Sequence, residues 1–131
     1  MLDYLFIREE GEYFKLNFSE IIYLESVKNY VRIITASQRR LILVTMKHVE
    51  DVLPKNLFCR IHRSYIVSLN YIKSFNSGHV CLPGKNLPIS EQYRKELLER
   101  VITLEGEPRT KTNEDAERSV SETELSANKM T

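Results

Sequence analysis

The chain has 131 residues, 42% of them hydrophobic and 28% charged, with a formal net charge of +1. That is the size and composition of one soluble globular domain, and no apolar run approaches the roughly 20 residues a membrane helix needs. Met1 to Arg8 lack the basic start and long apolar centre of a signal peptide, so a cytoplasmic protein without membrane attachment is expected.

The charge is unevenly shared. Residues 1–105 carry 15 Lys and Arg against 12 Asp and Glu, a net +3. Residues 106–131 carry 4 against 6, a net −2. A mildly basic folded part permits a nucleic-acid partner without demanding one. The two cysteines, Cys59 and Cys81, lie in apolar strand-like contexts and read as small buried hydrophobes rather than a disulfide or metal pair.

Tyr4 to Ile7 is a short β-type run. Tyr13 to Phe18 alternates with Phe14, Leu16 and Phe18 on one face, and Gly11 between the two runs predicts a hairpin. Ser19-Glu20 is a short turn. Ile21 to Glu25, Tyr30 to Thr35 and Arg40 to Val44 are three more strands, separated by a loop over Ser26 to Asn29 and a turn over Ala36 to Arg39. Such spacing leaves no room for crossover helices and points to antiparallel pairing. The period then changes. Thr45 can cap a helix carrying Met46, Val49, Val52 and Leu53, which Pro54 helps stop.

After Phe58 to Ile61 comes Tyr65 to Val67, then an expected strand over Tyr71 to Phe75. Asn76-Ser77-Gly78 is turn chemistry, from which His79 to Leu82 returns as a hairpin. Pro83 to Asn86 turns into Leu87-Pro88-Ile89. Ser90 then caps a last helix with Tyr93, Leu97, Leu98 and Val101 on its apolar face. From Gly106 onward aromatic residues vanish and Ser, Thr and Glu dominate, a composition that cannot offset the entropy of ordering. Residues 1–105 are read as one domain and 106–131 as a disordered acidic tail.

No Gly-rich phosphate loop, His-Glu-x-x-His, Cys-x-x-Cys or Gly-x-Ser-x-Gly motif is present. The histidines lack metal-ligand spacing, and no carboxylates cluster in an apolar setting as an acid/base pair needs. Enzyme chemistry and cofactors are not expected.

One stretch stands out, Arg60-Ile61-His62-Arg63-Ser64-Tyr65-Ile66-Val67. It sets three polar donors, Arg60, His62 and Arg63, beside an apolar strand. In one regular strand Ile61, Arg63, Tyr65 and Val67 would share a face, burying an unpaired arginine at high cost. Parity therefore predicts a break or bulge at His62-Arg63-Ser64, where the polar heads turn outward. Chemistry alone leaves two roles open for Arg63, guarding a sheet edge or contacting a ligand.

Together with Ile21-Ile22-Tyr23-Leu24-Glu25, Tyr30-Val31-Arg32 and Leu87-Pro88-Ile89-Ser90-Glu91-Gln92-Tyr93-Arg94, this block resembles the LytTR-type DNA-binding domain over residues 4–102. The resemblance implies a mainly β fold, an elongated stack of small antiparallel β-sheets with one or two short helices. It implies sequence-specific binding to double-stranded DNA in bacterial transcription regulation. Loops, rather than a recognition helix, reach adjacent grooves at repeated promoter half-sites. Members are usually the output half of response regulators in two-component systems. A receiver domain has no counterpart within these residues, which leaves a stand-alone regulator and the output of a longer chain both open.

Carried over position by position, the DNA-facing segments are Ser26 to Tyr30, His62-Arg63-Ser64 and Glu91 to Lys95. Arg63 then suits a guanine edge or a narrow minor groove. Lys28, Arg60, Arg94 and Lys95 suit phosphates, and Asn29 and Gln92 suit an adenine edge. Tyr30, His62 and Ser64 complete the expected set. Glu91-Gln92 departs from the basic residue many members carry after that serine, which weakens the third contact or redirects it to a cytosine amine. Ser68 replaces a common asparagine and is expected to shape a turn. The competing expectation is a non-catalytic protein-interaction module on the same β platform.

Overall fold

The computed structural model describes residues 2–107. The expected tail, 106–131, lies outside the described residues apart from its first two positions.

Strands β1 (Tyr4–Glu9) and β2 (Glu12–Asn17) form a two-stranded sheet. Their turn places Glu10 and Gly11 at φ 51 and 82, the left-handed pair that a tight hairpin requires. Leu16 and Phe18 are buried as expected, but Phe14 is 39% exposed. Phe14 instead lines a cleft beside β5 (Arg39–Leu43), with its ring 5.3 Å from the Arg40 guanidinium carbon.

The central sheet has five antiparallel strands in the order β5-β4-β3-β7-β6. Here β3 is Ile21–Val27, β4 is Tyr30–Thr35, β6 is Phe58–His62 and β7 is Tyr65–Ser68. Ser26 and Val27, expected in a loop, pair with Val31 and Tyr30 as strand residues. The turn is therefore only Lys28-Asn29, because the valine and its neighbours continue the ladder as far as the reversal allows.

The β-rich run after β7 is mostly a corner rather than a strand. A 3-10 turn covers Leu69–Tyr71, and only Ser74–Phe75 pairs, as β8. The chain must leave the central sheet here to start another, and Tyr71 Oη anchors the corner by donating to Ser19 O at 2.8 Å. β8, β9 (His79–Leu82) and β10 (Lys85–Pro88) form the third sheet, in the order β10-β9-β8.

Two helices complete the domain. α1 (Met46–Val52) is capped by Thr45, whose Oγ1 accepts from His48 N at 3.1 Å. α2 (Glu91–Arg100) begins after Ser90, which occupies the cap position without a side-chain hydrogen bond. No helix among the described residues is long and apolar enough to cross a membrane.

Alternation assigns the central sheet two buried faces. Leu24, Val31, Ile33, Phe58 and Ile66 pack with Ile7, Leu16, Met46 and Leu53 from the first hairpin, α1 and its C-terminal cap. Tyr23, Ile34, Cys59, Ile61 and Val67 pack with Val80, Leu82, Leu87 and Leu97 from the third sheet and α2. Each fully buried aliphatic side chain contributes about 1.5–3 kcal/mol. The stack of small antiparallel sheets with two short helices is thus built around one sheet that packs on both faces over β3, β6 and β7, while Leu41 and Leu43 of β5 stay exposed.

α2 also covers an edge. Ser90 N donates to Ile61 O at 2.9 Å and Arg100 Nη1 to Phe58 O at 2.6 Å. These are carbonyls that edge strand β6 would otherwise leave open to another chain.

Candidate nucleic-acid interface

The predicted break at His62-Arg63-Ser64 is a full chain reversal. β6 and β7 pair antiparallel, and Arg63-Ser64 is the turn between them. A bulge precedes it, because Arg60 opposes Ile66 and His62 opposes Tyr65, leaving Ile61 as the extra residue. Ile61 is fully buried, and Tyr65 packs partly buried on the same core face. Arg63 is exposed at the tip, so the parity conflict is resolved by turning the chain.

His62 stiffens this turn. Its Nδ1 accepts from Ser64 N at 3.1 Å, which places the proton of the neutral ring on Nε2 and leaves that nitrogen as the donor. Its ring lies 5.6 Å from that of Tyr65.

The β3–β4 turn lies beside it. β3 pairs with β7 as well as β4, and Ser26 N donates to Ser64 O at 2.9 Å. Lys28 and Asn29 form the tip, with Lys28 at φ 57. Two segments far apart in sequence are therefore bonded at one end of the central sheet. Between them and the start of α1 runs an open groove of about 590 Å³. Lys28, Asn29, Tyr30, Arg60 and Arg63 line it, as does Lys47 of α1, and no carboxylate does.

Arg60 is placed differently from the other cations. Its guanidinium donates to Glu50 Oε1 at 3.0 Å, to Arg63 O at 2.7 Å and to His62 O at 3.3 Å. The third segment flanks the groove without lining it. Glu91, Gln92 and Lys95 are exposed on the first turns of α2, while Arg94 is half-buried with its Nε enclosed. Tyr93 links this segment to the others through its ring, 5.6 Å from the Arg60 guanidinium carbon. Ser68 is buried at the end of β7, away from the groove, and starts the 3-10 corner, consistent with shaping a turn.

Lys47 was not singled out in the sequence. It sits one residue inside α1 and pairs loosely with Asp51 at 3.3 Å, with three-quarters of its side chain exposed. The signal was the helix cap at Thr45, which determines where the next lysine points; what it points toward required the fold. Cys59 offers no reactive thiol to the site, since burial pushes its pKa up to about 11.

Comparison with known proteins finds similar sequences and a similar fold. The family model described as the LytTr DNA-binding domain matches residues 11–102. The sensory transduction protein LytT of Bacillus subtilis is 33% identical over 84 residues, which are 60% of this chain and 35% of that protein. LytT of Bacillus anthracis is 32% identical over 88 residues, 63% of this chain and 36% of that protein. The transcriptional regulatory protein NatR of Bacillus subtilis is 29% identical over 73 residues, 56% of this chain and 31% of that protein. The chain thus spans about a third of the length of these relatives. Among solved structures, the LytTr DNA-binding domain of a methyl-accepting/DNA response regulator from Bacillus cereus superposes with a TM-score of 0.63 at 22% identity. That superposition covers 76% of this chain and 97% of the other and bears on the fold alone.

Proposed function

Since this chain belongs to the LytTr DNA-binding domain family, we propose that it binds double-stranded DNA sequence-specifically as an output domain of bacterial transcription regulation. The observation that carries the reading is the groove at one end of the central sheet. Two turns bonded to each other present Lys28, Asn29, Tyr30 and Arg63 at its rim, and no carboxylate lines it. A duplex met by such turns is read through side chains in adjacent grooves, with no helix laid along the bases.

The roles divide by chemistry. Lys28, Lys47, Arg94 and Lys95 meet phosphates and set register. Arg63 donates to a guanine edge or enters a narrow minor groove. Asn29 and Gln92 have the amide geometry for adenine, and Tyr30, His62 and Ser64 pack and donate at the contact surface. The partners we infer are promoter repeats, each half-site taking one copy, with a receiver domain or sensor kinase upstream in the regulatory path. Residues 1–105 are the binding domain in this reading. The family match favours DNA over a protein-docking module on the same platform.

The deciding experiment is fluorescence anisotropy of the chain on promoter duplexes and scrambled controls across a salt series. Sequence-dependent affinity that falls linearly in log salt is expected. Affinity indifferent to both sequence and salt overturns the reading.

A further inference from the structure

We propose that Arg60 is a positioning residue for DNA recognition rather than a phosphate contact. It holds the Arg63 turn at a fixed place between α1 and α2. The proposal rests on the DNA-binding reading above and assigns one residue within it a different task.

All three guanidinium nitrogens of Arg60 are engaged within the chain. Nη1 donates to Glu50, Nη2 to Arg63 O and Nε to His62 O. Its side chain is only 14% exposed, and Tyr93 presents a ring face to it. An arginine that grips phosphate must aim its planar fork outward. This fork is aimed at two carbonyls of its own hairpin turn. Arg63 O lies in the turn beyond the last ladder pair, His62 with Tyr65, so Arg60 fixes the backbone immediately beside the side chain that reads DNA. Glu50 belongs to α1 and Tyr93 to α2. One guanidinium therefore ties three elements together, and the distance between Arg63 and the α2 segment depends on it.

Glu50 supplies a test whose sign decides. A carboxylate close to a DNA groove opposes binding, so its removal strengthens binding if electrostatics alone matters. If Glu50 instead anchors the clamp, its removal weakens recognition despite the lost negative charge.

The experiment uses the full chain and a duplex enriched from a random-sequence library by the wild-type protein, compared with a scrambled duplex across a salt series. Arg60→Lys keeps the charge and loses the fork. It is expected to lower the specific-to-scrambled affinity ratio by about tenfold, on the scale of one base contact, with the salt slope of the wild type. Glu50→Ala is expected to lower the same ratio, and Glu50→Gln, whose amide oxygen still accepts from Nη1, to restore it. These Glu50 variants decide the matter even if Arg60→Lys does not fold. Arg60→Lys binding as wild type does, or Glu50→Ala tightening both duplexes, overturns the role of Arg60 and leaves the DNA reading standing. A wild-type chain that cannot enrich any sequence overturns the DNA reading itself and the role with it.

Discussion

Lys28 occupies a left-handed backbone at φ 57 in a two-residue turn, a conformation that costs a side chain with a Cβ about 1 kcal/mol. Glycine accepts it freely, at some cost in chain entropy. Stability and function therefore separate here. Lys28→Gly is expected to melt at or above the wild-type temperature by calorimetry, yet to bind DNA less tightly, with the salt slope shallower by about one. A lower melting temperature with unchanged binding would show that the lysine packs rather than reaches phosphate. Arg63 makes no packing contribution at its exposed tip, so Arg63→Ala should leave folding alone. Its expected cost is about 1–3 kcal/mol in specific binding, with discrimination relaxed at one base position. Equal binding by Arg63→Ala would return this residue to edge protection. Cys59 loses its proton at higher pH than an ordinary thiol. Desolvation raises it from 9.0 to about 11, so its native thiol form adds stability fully present below pH 9 and lost as pH rises through 11. Iodoacetamide at mildly alkaline pH should label the less buried Cys81 first, as peptide mass spectrometry would read, and reach Cys59 only on unfolding.

At the scale of elements, what the sequence made legible follows from periodicity. Alternation in Tyr30 to Thr35 and the three-and-four spacing of Met46, Val49, Val52 and Leu53 are local signals, and both elements form where expected, although Val52 at the end of α1 is 56% exposed rather than part of the core stripe. The Arg60 to Val67 block was legible through a conflict, since one strand could not bury Ile61 and Val67 while exposing Arg63. Periodicity fails where tertiary geometry overrides propensity. Tyr71 to Phe75 is rich enough in β-formers to suggest a strand, yet a 3-10 turn takes Leu69–Tyr71 and only Ser74–Phe75 pairs, because the chain must pass between sheets here. It also says nothing about which hydrophobic residue of a helix bears the load. On α2, Leu97 is fully buried and Leu98 is 40% exposed. Leu97→Ala is accordingly expected to cost about 2–5 kcal/mol in urea unfolding. Leu98→Ala should cost within about 0.5 kcal/mol. Because α2 covers β6, the Leu97 variant should also increase hydrogen exchange along that strand. Equal costs for the two would mean that α2 does not pack as described.

Over the whole molecule, the candidate site is a product of strand order. Placing β3 between β4 and β7 brings the Lys28 turn to the Arg63 turn, and no local pattern encodes that neighbourhood. The same holds for Arg60, which local chemistry reads as a free donor until Glu50, ten residues away on α1, is seen to hold it. The consequence for binding is quantitative. Lys28, Lys47, Arg94 and Lys95 are the cations assigned to phosphates, and about 0.9 is expected in the log-log salt slope for each phosphate neutralised. One copy should therefore show a slope of roughly −3 to −4. With a net charge of only +3 over residues 1–105, modest binding by one copy is expected, and tighter promoter occupancy is expected from two copies on repeated half-sites. Repeats spaced by one helical turn, about 10.5 base pairs, put both copies on the same face of the duplex. Inserting about half a turn rotates one copy to the far side without altering either half-site. Mobility shifts on the two duplexes are expected to show paired occupancy at lower protein concentration with the in-phase repeat and independent binding with the other. Identical titrations on both would mean that the copies act alone, and promoter selectivity would then have to come from a single groove.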